Sequence, residues 1–151
     1  IAGAYVEDAL AASNLASALI DIEEYGKSYT LRINDPQSAY EIYKEALAVN
    51  LALDENEISS QMELLKGQIK ILSYMVYNVE GSRVDVYSLS EGEIMQPLLS
   101  GEIGQIHTPD GILVETTTIY SKISFGVKGL GKQYIYAEKE KSVDVKRNQE
   151  K

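Results

Sequence analysis

The side chains able to do chemistry are few and poorly grouped. The chain has one histidine, His107, and no cysteine. Disulfides, thiol catalysis and cysteine-ligated metals are therefore excluded. A single histidine without cysteine makes neither a structural zinc centre nor the histidine-bearing metal site of a hydrolase. His107 precedes a turn, and no nucleophile motif of the G-x-S-x-G, S-x-x-K or phosphate-loop kind accompanies it. Carboxylates are plentiful, with 23 Asp and Glu in 151 residues. Glu7, Asp8, Asp21, Glu23, Glu24, Asp54, Glu55, Glu57, Glu91 and Glu93 could in principle supply an acid pair of the glycosidase type, which needs only the right separation in space. Acid pairs at that separation also arise by chance in so acidic a chain. Asp54 to Glu57 lacks the Asx spacing and central glycine of a calcium loop. Gly126, Gly129 and Gly131 lie between two expected strands and not between a strand and a helix, so they make no phosphate cradle. The sequence points to no catalytic residue, no cofactor and no metal.

Tyrosine is the unusual residue, at eleven copies against one Phe and no Trp. Its ring packs while its hydroxyl stays wet, which suits half-buried strand positions and contact surfaces. Tyr74, Tyr77, Tyr87 and Tyr120 all fall in expected strands and are candidates for an interaction face of the sheet.

Such side chains need elements to position them. The strongest is Tyr5–Tyr25, rich in Ala and Leu and free of Gly and Pro, which reads as a helix of roughly 30 Å. At 100° per residue, Tyr5, Ala9, Ala12, Leu15, Ala16, Leu19 and Ile22 share one broad face. Glu7, Asn14, Ser17 and Asp21 fall opposite, so the alanine-rich face is expected to lie on the core. Gly26 suits the left-handed residue that ends a helix. Asp8 is the one acid within the apolar arc, placed for the first-turn dipole or for contact with a neighbouring subunit. The pattern starts inside a helix, at IAGAYV, with no Met or N-cap ahead of it. That suggests either a domain boundary or a removed upstream segment that carried the helix into a membrane. No apolar run of 18 residues is present to span one.

A second helix is expected over residues 36–51. Asp35 caps it, Pro36 opens it, and Ala39, Tyr40, Ile42, Tyr43, Ala46, Leu47 and Val49 form its stripe. From Gly67 the period becomes alternating. Strands are expected near 68–79, 83–90, 103–107, 112–127 and 132–146, with a frayed tail over 147–151. The first two make a hairpin around Gly81. Met95, Leu98 and Leu99 are expected to cap one end of the core or, if exposed, to form a sticky contact. TPDG at 108–111 is a turn. A phase shift near Glu115–Thr117 suggests a bulge or bend. The last strand alternates Glu and Lys over AEKEK, as edge strands do. Two helices followed by four or five antiparallel strands make a single α+β domain with the helices on one face of the sheet. The net charge of −9 argues against nucleic acid, whose binding is driven by Lys and Arg.

The runs YVEDALAASNLASALIDIEEYG, NDPQSAYEIYKEALAVNLALD, YNVEGSRVDVYS and TPDGILVETTTIYSKISFGVKG together resemble the ectodomains of TadE-like or pilin-like secreted proteins of Gram-positive bacteria. The resemblance covers nearly the whole chain. It implies a long amphipathic helix continuing from a transmembrane segment and packed on an antiparallel sheet. It also implies a non-enzymatic subunit of a pilus or secretion-related assembly, anchored at the membrane and facing outward, with protein partners or copies of itself. A different expectation from the same residues is an extracellular ligand-binding or adhesive module using the tyrosine-rich sheet face.

Overall fold

The computed structural model describes residues 2–18, 33–52, 66–89, 97–128 and 134–144. The helices are α1, Ala2–Ala18, and α2, Pro36–Asn50. The strands are β1, Lys66–Glu80; β2, Arg83–Ser88; β3, Leu99–Glu102; β4, Thr118–Lys128; and β5, Tyr134–Asp144. The sheet has five antiparallel strands in the order β3-β2-β1-β4-β5. Among the described residues the architecture is α+β, two helices packed on an antiparallel sheet. Residues 19–25, the last third of the expected first helix, lie outside the described residues, as do Gly26, Met95 and the tail at 147–151.

Local chemistry accounts for the start of α2. Asp35 accepts from Ser38 N at 3.3 Å and from Ser38 Oγ at 2.7 Å, while Pro36 occupies the first helical turn. These bonds, that from the Ser38 hydroxyl first, hold the Asp35 carboxyl below its ordinary pKa. Ala39, Tyr40, Tyr43 and Leu47 face inward, and Val49 stands out in solvent. The Tyr40, Tyr43 and Tyr74 rings meet between α2 and β1, with the Tyr43 and Tyr74 centroids 4.8 Å apart.

β1 is the central strand, and it carries the sheet's irregularity. Its register against β4 shifts between Ile71 and Ser73. The shift reverses the side-chain phase, so Ile69 and Ile71 before it and Tyr74 and Val76 after it all pack towards the helices. The bulge is therefore in β1, while the expected irregularity near Glu115–Thr117 is a bend at Glu115 and Thr116 just before β4. The hairpin turn is Gly81–Ser82, with Gly81 at φ +63, a value that favours glycine.

The 103–107 and 112–117 segments are not regular strands. The third strand is β3, and β4 begins only at Thr118. Residues 103–117 fold under the sheet, on the side away from the helices. Ile103, Ile106 and Val114 pack there with Tyr77, Val84, Val86 and Tyr120 in a second apolar cluster. Ile106 reaches Gly101, where a Cβ would stand 2.8 Å from Ile106 Cδ1. The turn at 108–111 closes by Gly111 N donating to Thr108 O at 2.9 Å. It is fastened to β5 by Ser142 Oγ, which donates to Asp110 Oδ1 at 2.6 Å. Leu98 and Leu99 do not cap the core, being 70% and 55% exposed.

Candidate functional site

The orientation of α1 differs from the one its hydrophobicity suggests. Val6, Ala9, Leu10, Ser13, Asn14, Ser17 and Ala18 are buried, whereas Tyr5, Ala12 and Leu15 are exposed. The helix is turned so that its small polar residues meet β4, β5 and α2. A face made mostly of alanine gains little apolar area on burial. Buried hydrogen bonds that are fully satisfied hold a single arrangement instead.

Those bonds are specific. Asn14 Nδ2 donates to Lys141 O at 3.0 Å and to Ile119 O at 3.4 Å, bridging β5 and β4. Asn14 Oδ1 accepts from Ser121 Oγ at 2.8 Å. Ser17 Oγ donates to Asn14 O at 2.9 Å, so its contact with Tyr74 Oη, also 2.9 Å, has the tyrosine as donor. Asn50 Nδ2 of α2 donates to Ser13 Oγ at 3.1 Å. Burial pushes the Tyr74 and Tyr43 hydroxyls well above the ordinary tyrosine pKa. The Tyr43 hydroxyl lies near Ser121 without a formed hydrogen bond.

The outward side of α1 carries Ala4, Tyr5, Asp8, Ala12 and Leu15, all exposed. Asp8 is the one charged residue among these five. Glu7, at the margin, is held by Lys141 Nζ at 3.3 Å, whereas no cation among the described residues pairs with Asp8. An open depression of about 220 Å³ lies beside it, lined by Tyr5, Asp8, Ala9, Ala12 and Asn50. Tyr5 Oη donates to Asn50 O at 2.7 Å and ties this wall to the end of α2.

The tyrosine candidates do not share a surface. Tyr74 is buried towards the helices, and Tyr87 packs half-buried against the same cluster. Tyr77 and Tyr120 are buried in the cluster under the sheet. Tyr120 Oη donates to Glu140 Oε1 at 2.6 Å, and burial, ahead of this carboxylate, raises its pKa. Burial, then the charge of Asp110, pushes Tyr77 up to about 12. His107 is exposed and forms an isolated antiparallel bridge with Leu113. Of the acids named as candidates, only Glu7 and Asp8 fall among the described residues. Gly126 pairs within the sheet with Lys66 and Tyr136, while Gly129 and Gly131 lie outside them. Among the described residues no group of three or more His, Asp or Glu is placed to hold a metal. No described helix is long and apolar enough to cross a membrane.

No protein-family model, curated protein or solved structure matches the chain. Sequence reasoning placed Asp8 among apolar neighbours, and it stands there on the outward face. It missed the bonded set of Asn14, Ser17 and Ser121. The available signal was the spacing of Ser13, Asn14 and Ser17, which share one side of a helix.

Proposed function

We propose that this chain is a non-enzymatic assembly subunit whose contact surface is the outward side of α1. One observation carries the reading. The helix turns its satisfied polar residues inward and leaves Tyr5, Ala12 and Leu15 in solvent around Asp8. An apolar helix side left open beside an otherwise packed core is the kind of surface that a partner covers. Small residues there let a second backbone approach closely. The resemblance to TadE-like and pilin-like ectodomains supplies the setting: a subunit of a pilus or secretion-related system, outside the cytoplasm, at the cell surface and held at the membrane by a segment joined to α1.

Single cysteines test this, since the chain has none of its own. Ala12→Cys and Leu15→Cys, introduced into the protein as its own cell makes it, are expected to give disulfide-linked species on mild oxidation. Glu102→Cys on β3 is expected to give none. Equal cross-linking at all three positions, or none on α1, overturns the proposal.

A further inference from the structure

The depression beside Asp8 has a chemistry of its own. Tyr5 and Asp8 lie three residues apart on α1, and Ala12 lies four beyond Asp8, so the three line one side of the helix. The hydroxyl of Tyr5 is engaged by Asn50 O, and the amide of Asn50 by Ser13 Oγ. Both walls are therefore held before anything binds. Ala9 and Ala12 add only methyl groups. Among the described lining residues the one acidic side chain is Asp8, and its neighbour Glu7 already has Lys141. At about 220 Å³ the depression is smaller than the cavities that hold cofactors or drug-sized ligands, and suits one side chain.

A carboxylate, an aromatic ring and alanine methyls together fit a slim aliphatic cation. We propose that this depression receives a lysine side chain from a polypeptide partner. The ammonium lies on the Asp8 carboxylate and beside the Tyr5 ring, which attracts cations through its quadrupole. The methylene stem lies on Ala9 and Ala12. The chain's net charge of −9 raises the local concentration of a basic partner. The proposal rests on α1 being a contact face and names the chemistry of what it contacts.

The probe is n-butylammonium, titrated into the isotope-labelled full chain and followed by amide chemical shifts, with n-butanol and n-butylguanidinium as comparisons. Saturable shifts are expected at Tyr5, Asp8, Ala9, Ala12 and Asn50 with butylammonium. Binding is expected to weaken about tenfold in Asp8→Asn, a change of about 1.4 kcal/mol. Butanol is expected to give no saturable shift, and butylguanidinium to bind more weakly than butylammonium. Four results each overturn the proposal: no saturation with butylammonium, shifts centred elsewhere, unchanged binding in Asp8→Asn, or guanidinium binding as tight as ammonium. The titration reads the depression in the single chain, so it fails independently of the cysteine experiment. Cross-linking on α1 without ammonium binding leaves the assembly reading standing alone, and the converse leaves a lysine site without an assembly.

Discussion

Ser13, Asn14 and Ser17 are fully buried between α1 and its neighbours, while Asp8, Ala12 and Leu15 on the other side of the same turns face solvent. The inward side is held by directional bonds to β4, β5, Tyr74 and Asn50. The outward side has no such partner for Asp8 among the described residues and offers apolar contact. The contrast teaches that hydrophobicity alone did not orient this helix. A partner for each buried polar atom did, because an unsatisfied one costs more than a few alanine methyls return. The two sides should accordingly respond to mutation in opposite ways.

The largest effect is expected from alkali, which attacks the inward side. Tyr43 and Tyr74 keep their protons in the fold to higher pH than in the unfolded chain. Their contribution is therefore complete below pH 10, the ordinary tyrosine value, and is lost as pH rises beyond it. The loss is about 1.4 kcal/mol per group for each pH unit. Ultraviolet tyrosinate absorbance should rise together with loss of circular dichroism. Ionisation of all eleven tyrosines in a fold that stays intact would contradict this.

Asn14→Ala comes next. It strands the Ser121 hydroxyl and the Lys141 carbonyl, and should cost about 3 kcal/mol in urea unfolding. Tyr74→Phe removes the donor to Ser17 and should cost about 1 kcal/mol. Tyr43→Phe, whose hydroxyl has no hydrogen-bond partner among the described residues, should cost nothing or stabilise slightly. If the two tyrosine variants behave alike, the bonded set is not what holds the inward side. Asp35→Ala should cost about 1 kcal/mol by uncapping α2. Because the Asp35 pKa is depressed in the fold, that difference from wild type is present above the ordinary aspartate range. It should shrink as pH falls through the folded value.

The contrast also marks how far the sequence was legible. The α2 cap was visible because Asp35-Pro36 and Ser38 are neighbours in sequence, and the bonds are local. The phase of β4 was visible because Ile119, Ile123 and Phe125 alternate strictly, and all three are buried towards the helices. The inward side of α1 was not visible, because the partners of its central residue, Asn14, come from more than a hundred residues away, at Ile119, Ser121 and Lys141. The cover under the sheet was hidden for a related reason. Ile103, Ile106 and Val114 have strand-like residue types, yet they bury themselves against the underside of β1, β2 and β4 as an irregular segment. Asp8 was legible as an odd charge in an apolar arc, but not the direction in which that arc faces.

The largest effect on association, with little on stability, should come from Leu15, and one measurement on it tests the account most directly. Leu15→Glu places a charge on the outward side, where the residue is 45% exposed. Its urea unfolding should stay within about 0.5 kcal/mol of wild type. Association of the protein in its native setting, read by cross-linking through Ala12→Cys in the same chain, should disappear. A marked loss of stability, or cross-linking that persists unchanged, would show that this side of α1 is not the contact surface.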